Sequence, residues 1–164
     1  MLSLRKGVLL LAIVVGAGCA AAPPADLMNR AEPLPGITTS GQPGQASLRD
    51  LAEAGVVAVI DLRGINEDRG FNEQRAVEEL GMSYISLPIA GATAITYENA
   101  SVLDELLSDI DGPILLHCAS GNRVGALLSL RERLHGANQA EALQLGTEAG
   151  LTSLAGTVEA LLNE

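Results

Sequence analysis

Two short runs of consecutive apolar residues, Val56-Val57-Ala58-Val59-Ile60 and Ile114-Leu115-Leu116, limit what this chain can fold into. Each lacks the polar alternation of a half-exposed strand and is too short for a core helix, so each reads as a strand buried on both faces. Met82 to Ile89 reads as a third strand, and Ile37 to Thr39 as a short one suited to a sheet edge. Helical patterns lie between them. Ser47 and Asp50 have capping-box spacing, Leu48 and Leu51 supply an apolar face, and Gly55 ends the turn. Phe71 to Leu80 closes on Gly81 in the same way. From Thr96, the residues Val102, Leu103, Leu106, Leu107 and Ile110 recur at helical spacing until Asp111-Gly112-Pro113 stops them. Past Arg123 come three helical segments, Val124 to Leu134, Asn138 to Ala149 and Ser153 to Leu162, and no further strand. This order predicts an α/β fold, a single domain with a central, mostly parallel sheet flanked by helices and a helical C-terminal third. In such sheets ligands bind beyond the carboxyl ends of the strands, which directs attention to the loop after Ile114 to His117.

The N-terminal segment obeys different rules. Residues 1 to 18 carry Arg5-Lys6 and then the apolar run Gly7 to Ala17, too short to span a bilayer, and read as a signal peptide. The run ends Val15-Gly16-Ala17-Gly18-Cys19, which resembles the bacterial lipobox and implies a lipid anchor on Cys19 in an envelope protein facing the periplasm. Cleavage within Ala20-Ala21-Ala22 would instead leave a periplasmic or secreted chain. Residues 19 to 36, rich in Ala and Pro, read as a tether, and the domain is expected over 37 to 164.

Charge narrows the partners. Twenty Asp and Glu stand against ten Lys and Arg, so no basic face is available for nucleic acid, and membrane association would depend on the anchor alone. Aromatic residues are only 2% of the chain, which argues against stacking on bases or sugars. Once Cys19 is set aside, Cys118 has no partner for an internal disulfide. One cysteine and two distant histidines make no zinc site, so neither a metal nor another cofactor is expected.

The residues His117-Cys118-Ala119-Ser120-Gly121-Asn122-Arg123 place a thiol at the end of a buried strand, then small residues, then an arginine opening a helix. Loop amides and the helix N-terminus can form a nest for an anion against the sulfur, and that positive potential favours the nucleophilic thiolate. Arg123 can fork two hydrogen bonds onto an oxyanion. Cys118 and Arg123 are therefore the expected catalytic pair. His117, Ala119, Ser120, Gly121 and Asn122 are the expected binding residues, with a small oxyanion as the ligand. A structural cysteine and a satisfied core histidine are the plainer alternatives for Cys118 and His117.

This loop resembles the signature of the protein tyrosine and dual-specificity phosphatases, in the bacterial form found alone or fused to NAD kinase or β-lactamase-like hydrolases. Ser40-Gly41-Gln42-Pro43, Val59-Ile60-Asp61-Leu62-Arg63 and Gly81-Met82-Ser83-Tyr84 support the resemblance. It implies a cysteine-phosphatase-like fold, a phosphorylated substrate, and hydrolysis of that phosphomonoester through a cysteinyl-phosphate on Cys118. Two departures stand out. Four residues separate Cys118 from Arg123 where the phosphatases have five, a length that resembles the rhodanese loop and implies an alternative sulfur transfer through a Cys118 persulfide. The loop Pro88-Ile89-Ala90-Gly91-Ala92-Thr93 also lacks the aspartate that protonates the leaving group in phosphatases. Asp61, at the end of its strand, is taken as the catalytic carboxylate, with Glu67, Asp68 and the more distant Glu98 as substitutes. An Asp61–Arg63 ion pair is the other reading of that residue, and Arg69 and Arg75 read as surface arginines. A non-catalytic anion-binding module is a third possibility for the whole domain.

Overall fold

In the computed structural model, residues 27–164 are described. Residues 1 to 18, read as a signal peptide, and Cys19 lie outside them. Five strands form one sheet, β1 (Ala31–Leu34), β2 (Ile37–Ser40), β3 (Ala58–Asp61), β4 (Ser83–Ser86) and β5 (Ile114–His117), in the order β1-β2-β5-β3-β4. β2, β5, β3 and β4 are parallel, and β1 runs antiparallel to β2 at the edge. Six helices accompany them: α1 (Gln45–Glu53), α2 (Glu73–Glu79), α3 (Tyr97–Asp109), α4 (Asn122–Leu134), α5 (Gln139–Glu148) and α6 (Ala155–Leu162). No helix among the described residues is long and apolar enough to cross a membrane.

Strand alternation divides the interior into two cores. Ile60, Ile114, Leu116 and Cys118 pack with Leu103, Leu127 and Val158 of α3, α4 and α6. Val59 and Leu115, pointing the other way, pack with Leu48, Leu51 and Val77 of α1 and α2. This split governs the site, because neighbouring residues at a strand end fall into different environments.

The structure moves the start of the domain. Residues 31 to 34, expected in the tether, form β1, and Leu27 is buried in the α1–α2 core. Pro33 and Pro35-Gly36, which read as a linker, belong to an edge hairpin: proline is tolerated on an edge strand, and Pro-Gly suits the turn into β2. β2 is consequently an inner strand between β1 and β5, not an edge. Helix α1 begins at Gln45 with Gly44 as its N-cap, so Ser47 is a buried helical residue rather than a cap. The capping geometry expected there occurs in α5, where Asn138 and Glu141 form a capping box.

Candidate active site

Cys118 is fully buried immediately after β5, and the Gly121 N–H donates to its Sγ at 3.1 Å. Gly121 reaches this position with φ +88°, a left-handed conformation that side chains disfavour, and it serves as the N-cap of α4. The outer surface of the loop is bonded to its surroundings. Gln42 N–H donates to Ala119 O at 3.2 Å, and Asn29 Nδ2 donates to Ser120 O at 2.9 Å. Holding these carbonyls outward keeps them off the sulfur side, where the Gly121 amide points, the polarity an anion requires. Ala119 and Ser120 are exposed at the mouth.

Asn122 is differently employed from its expected binding role. Its Oδ1 accepts from Thr152 and Leu154 N–H, and its Nδ2 donates to Ser153 Oγ at 2.8 Å. The side chain ties the loop to the α5–α6 connection, leaving the backbone as its means of touching a ligand.

Arg123, in the first turn of α4, is held from two loops. Glu67 receives Nη1 on Oε1 at 2.5 Å and Nη2 on Oε2 at 2.7 Å, while Ile89 O accepts from Nη1 at 3.0 Å. The hydrogen bond that Arg123 donates to Glu67 raises the guanidinium above its ordinary value, and the same bond lowers the Glu67 carboxyl. Among the described residues no carboxylate takes the Nε edge of Arg123, which remains for an oxyanion. Glu67, expected as a substitute general acid, is thus an ionised anchor for the arginine.

Asp61 is corrected as well. It aligns with His117 in the β3–β5 register and shares the α1–α2 side of the sheet, whereas Cys118 belongs to the opposite core. Its carboxylate is fully buried and accepts from Arg63 N–H, Arg63 Nε and Nη2, Arg69 Nε and Tyr84 OH. Burial alone would raise its carboxyl, yet the Arg63 hydrogen bonds and the charge of His117 override it and hold the group well below the carboxylate range. It therefore has no proton to give, and the ion-pair reading is the correct one. The phenol of Tyr84 is pushed up to about 12 by burial and by its bond to Asp61.

Glu73 and Arg69 complete this cluster, and neither role was foreseen. Glu73, fully buried on α2, meets Arg63 and lies 2.7 Å from His117 Nε2, while His117 Nδ1 faces Cys118 O at 3.4 Å. His117 is therefore a buried support beneath the cysteine rather than a ligand contact. Arg69, far from a simple surface residue, also donates to the carbonyls of Gly64, Glu67 and Arg63 and so shapes the loop that carries Glu67. Arg75, by contrast, is exposed and pairs with Glu79 one turn on. Asp61, Glu73 and His117 are close enough to share a cation, but Arg63 already bonds both carboxylates and supplies the positive charge there.

A thiol facing an inward loop amide, with an anchored arginine beside it, is a site for an oxyanion. A family model described as "DSP-PTPase phosphatase fused to NAD+ Kinase" matches residues 28–157. The chain belongs to this phosphatase family. It is a cysteine-dependent, dual-specificity phosphatase-like domain. It is 31% identical over 104 residues to a beta-lactamase hydrolase-like protein of Agrobacterium fabrum, covering 61% of this chain and 24% of the relative. A Xylella fastidiosa protein of the same description is 30% identical over the same length, so the domain spans about a quarter of the curated relatives it matches. A solved structure of a candidate phosphatase from Neisseria meningitidis shares the fold with a TM-score of 0.71 at 20% identity, covering 83% of this chain and 98% of that one. A variant of P. aeruginosa TpbA in complex with phosphotyrosine superimposes with a TM-score of 0.61 at 20% identity, covering 90% of the phosphatase domain's chain and 99% of its own.

Proposed function

We propose that the domain hydrolyses phosphomonoesters through a cysteinyl-phosphate on Cys118, with Arg123 and the amides of residues 119 to 122 binding the phosphoryl oxygens. The observation that carries this reading is the pairing of a loop amide aimed at Sγ with an arginine whose distal fork is fixed by Glu67, leaving its Nε edge for the phosphate. Attack by sulfur moves the phosphoryl group onto Cys118, and water then releases inorganic phosphate. The phosphotyrosine bound to the TpbA variant supports a phosphorylated substrate for this domain too.

The four-residue loop favours one rival, a persulfide carried on Cys118. The mature chain assayed with an activated aryl phosphate, and separately with thiosulfate and cyanide, distinguishes the two. Phosphate release abolished by Cys118→Ser supports the proposal, and thiocyanate formation without phosphate release contradicts it. Binding of phosphate with neither activity identifies an anion-binding module.

The proposal extends to location. The basic and apolar pattern of residues 1 to 18, followed by Cys19, supports export and lipid anchoring in a bacterial envelope, facing the periplasm. Mass spectrometry of the chain from a bacterial host checks this: an acylated N-terminal Cys19 is expected, and an unmodified terminus beyond Ala20 contradicts it.

A further inference from the structure

Resting on the phosphatase reading, the placement of proton donors around Cys118 constrains the substrate further. When sulfur attacks phosphorus, the P–O bond breaks and its electron pair stays on the departing oxygen. An alkoxide is about as poor a leaving group as hydroxide, whose parent water has a pKa near 15.7, whereas a phenol of the tyrosine type ionises near 10. An enzyme that cleaves alkyl phosphates efficiently therefore needs an acid in place, a contribution of roughly 10²- to 10⁴-fold.

Among the described residues, no acid is bonded to Cys118, to the loop amides or to the free edge of Arg123. The segment from Leu87 to Ile95, which touches Arg123 through Ile89 O, has no titratable side chain. Asp61 is buried on the far side of the sheet in bonds to Arg63, Arg69 and Tyr84, and Glu73 is buried against Arg63 and His117. Both oxygens of Glu67 are committed to Arg123. Asp68 is exposed and accepts from Gly70 N–H, and Glu98 is exposed in the first turn of α3. The Tyr84 phenol donates to Asp61.

We infer that the site transfers phosphoryl groups without acid assistance, and that its substrates are phosphates whose leaving group departs as a stable anion, namely aryl and acyl phosphates, and not alkyl phosphates of the serine type. The steps balance without a donor. The thiolate forms the S–P bond as the P–O bond breaks, and the aryloxide or carboxylate leaves as an anion and takes any proton from bulk water. A water oxygen then forms a P–O bond, the S–P pair returns to sulfur, and the water proton passes to solvent.

The test uses the mature chain with aryl phosphates whose phenols range in pKa from about 7 to about 10, together with phosphoserine and phosphotyrosine peptides. In the unassisted case kcat/KM falls about five- to tenfold per unit of phenol pKa, as expected of a loose transition state that places full charge on the leaving oxygen. Phosphoserine turnover is then undetectable beside phosphotyrosine, and kcat/KM shows no alkaline limb up to pH 9. Glu98→Gln and Asp68→Asn leave slope and profile unchanged. A slope below about twofold per unit, or an alkaline limb abolished by Glu98→Gln or Asp68→Asn, overturns the inference while leaving the phosphatase reading intact. Phosphoserine turnover within tenfold of phosphotyrosine does the same. Failure to hydrolyse even the most activated ester overturns both.

Discussion

Glu67 grips Arg123 with both carboxylate oxygens, at 2.5 and 2.7 Å, across 56 positions of sequence. The contact joins the loop after β3 to the helix that follows the cysteine loop, and it fixes the arginine by its distal fork. Glu67→Gln keeps the shape and removes the charge. Losing a charge-assisted pair should lower kcat/KM for an aryl phosphate by about 10- to 100-fold, with an unchanged circular dichroism spectrum. Full activity in this variant would show that Arg123 needs no anchor.

Asp61 is assigned to structure rather than to chemistry, and substitution separates the two roles. Asp61→Asn leaves the buried Arg63 and the half-buried Arg69 short of a counter-charge, which should cost about 3 to 5 kcal/mol of stability. Urea unfolding measures it. An Asp61→Asn chain with wild-type stability and lost activity would restore the catalytic assignment.

Acid should unfold the domain through the same groups. Asp61 is held below the ordinary carboxylate range because bonds from Arg63 and the charge of His117 outweigh its burial; Glu67 is held low chiefly by Arg123. For carboxyl groups with depressed folded values, the stability contribution is complete above the unfolded values of about 3.9 to 4.3. It is lost as pH falls through that range toward the folded values. Urea midpoints should therefore hold steady from pH 7 to 5 and drop from pH 5 to 3. Asp61→Asn should flatten the drop, and a midpoint rising on acidification would contradict the account.

Helices α4 and α5 approach closely enough to exclude a methyl group. A Cβ on Gly125 would lie 2.3 Å from Leu151 N and 2.4 Å from Gly146 O, both backbone atoms with little room to move. Gly125→Ala should destabilise the domain by about 1 to 3 kcal/mol or more. Gly156→Ala in α6, where a Cβ meets nothing, should stabilise it by about 0.5 to 1 kcal/mol. Thermal melts of the two variants should move in opposite directions; equal shifts would mean that the α4–α5 contact is looser than described.

Much of this molecule was legible as local pattern. The apolar runs at β3 and β5, the helix stops, and the small residues between Cys118 and Arg123 each carry their signal within a few residues. What escaped lies across distance or across the sheet. Pro33 and Pro35 read as linker because an edge hairpin differs from a tether only through the partner strand that accepts it. Asp61 reads as facing Cys118 because both stand at the ends of central strands, yet the period of two places Asp61 with Val59 and His117 on the α1–α2 side. That alternation was available in the sequence once the register was known. Glu67, Glu73 and Arg69 had no local signal, since their roles exist only in contacts made by folding.

The central claim is that Cys118 carries the phosphoryl group. Rapid mixing of the purified protein with a strongly activated aryl phosphate, followed by acid quench and peptide mass spectrometry, tests it directly. A burst of phenol equal to the enzyme present, with a phosphoryl group on the Cys118 peptide and neither signal in Cys118→Ser, is the predicted result. Phosphate release with no adduct on Cys118, or with the activity retained in Cys118→Ser, would contradict it.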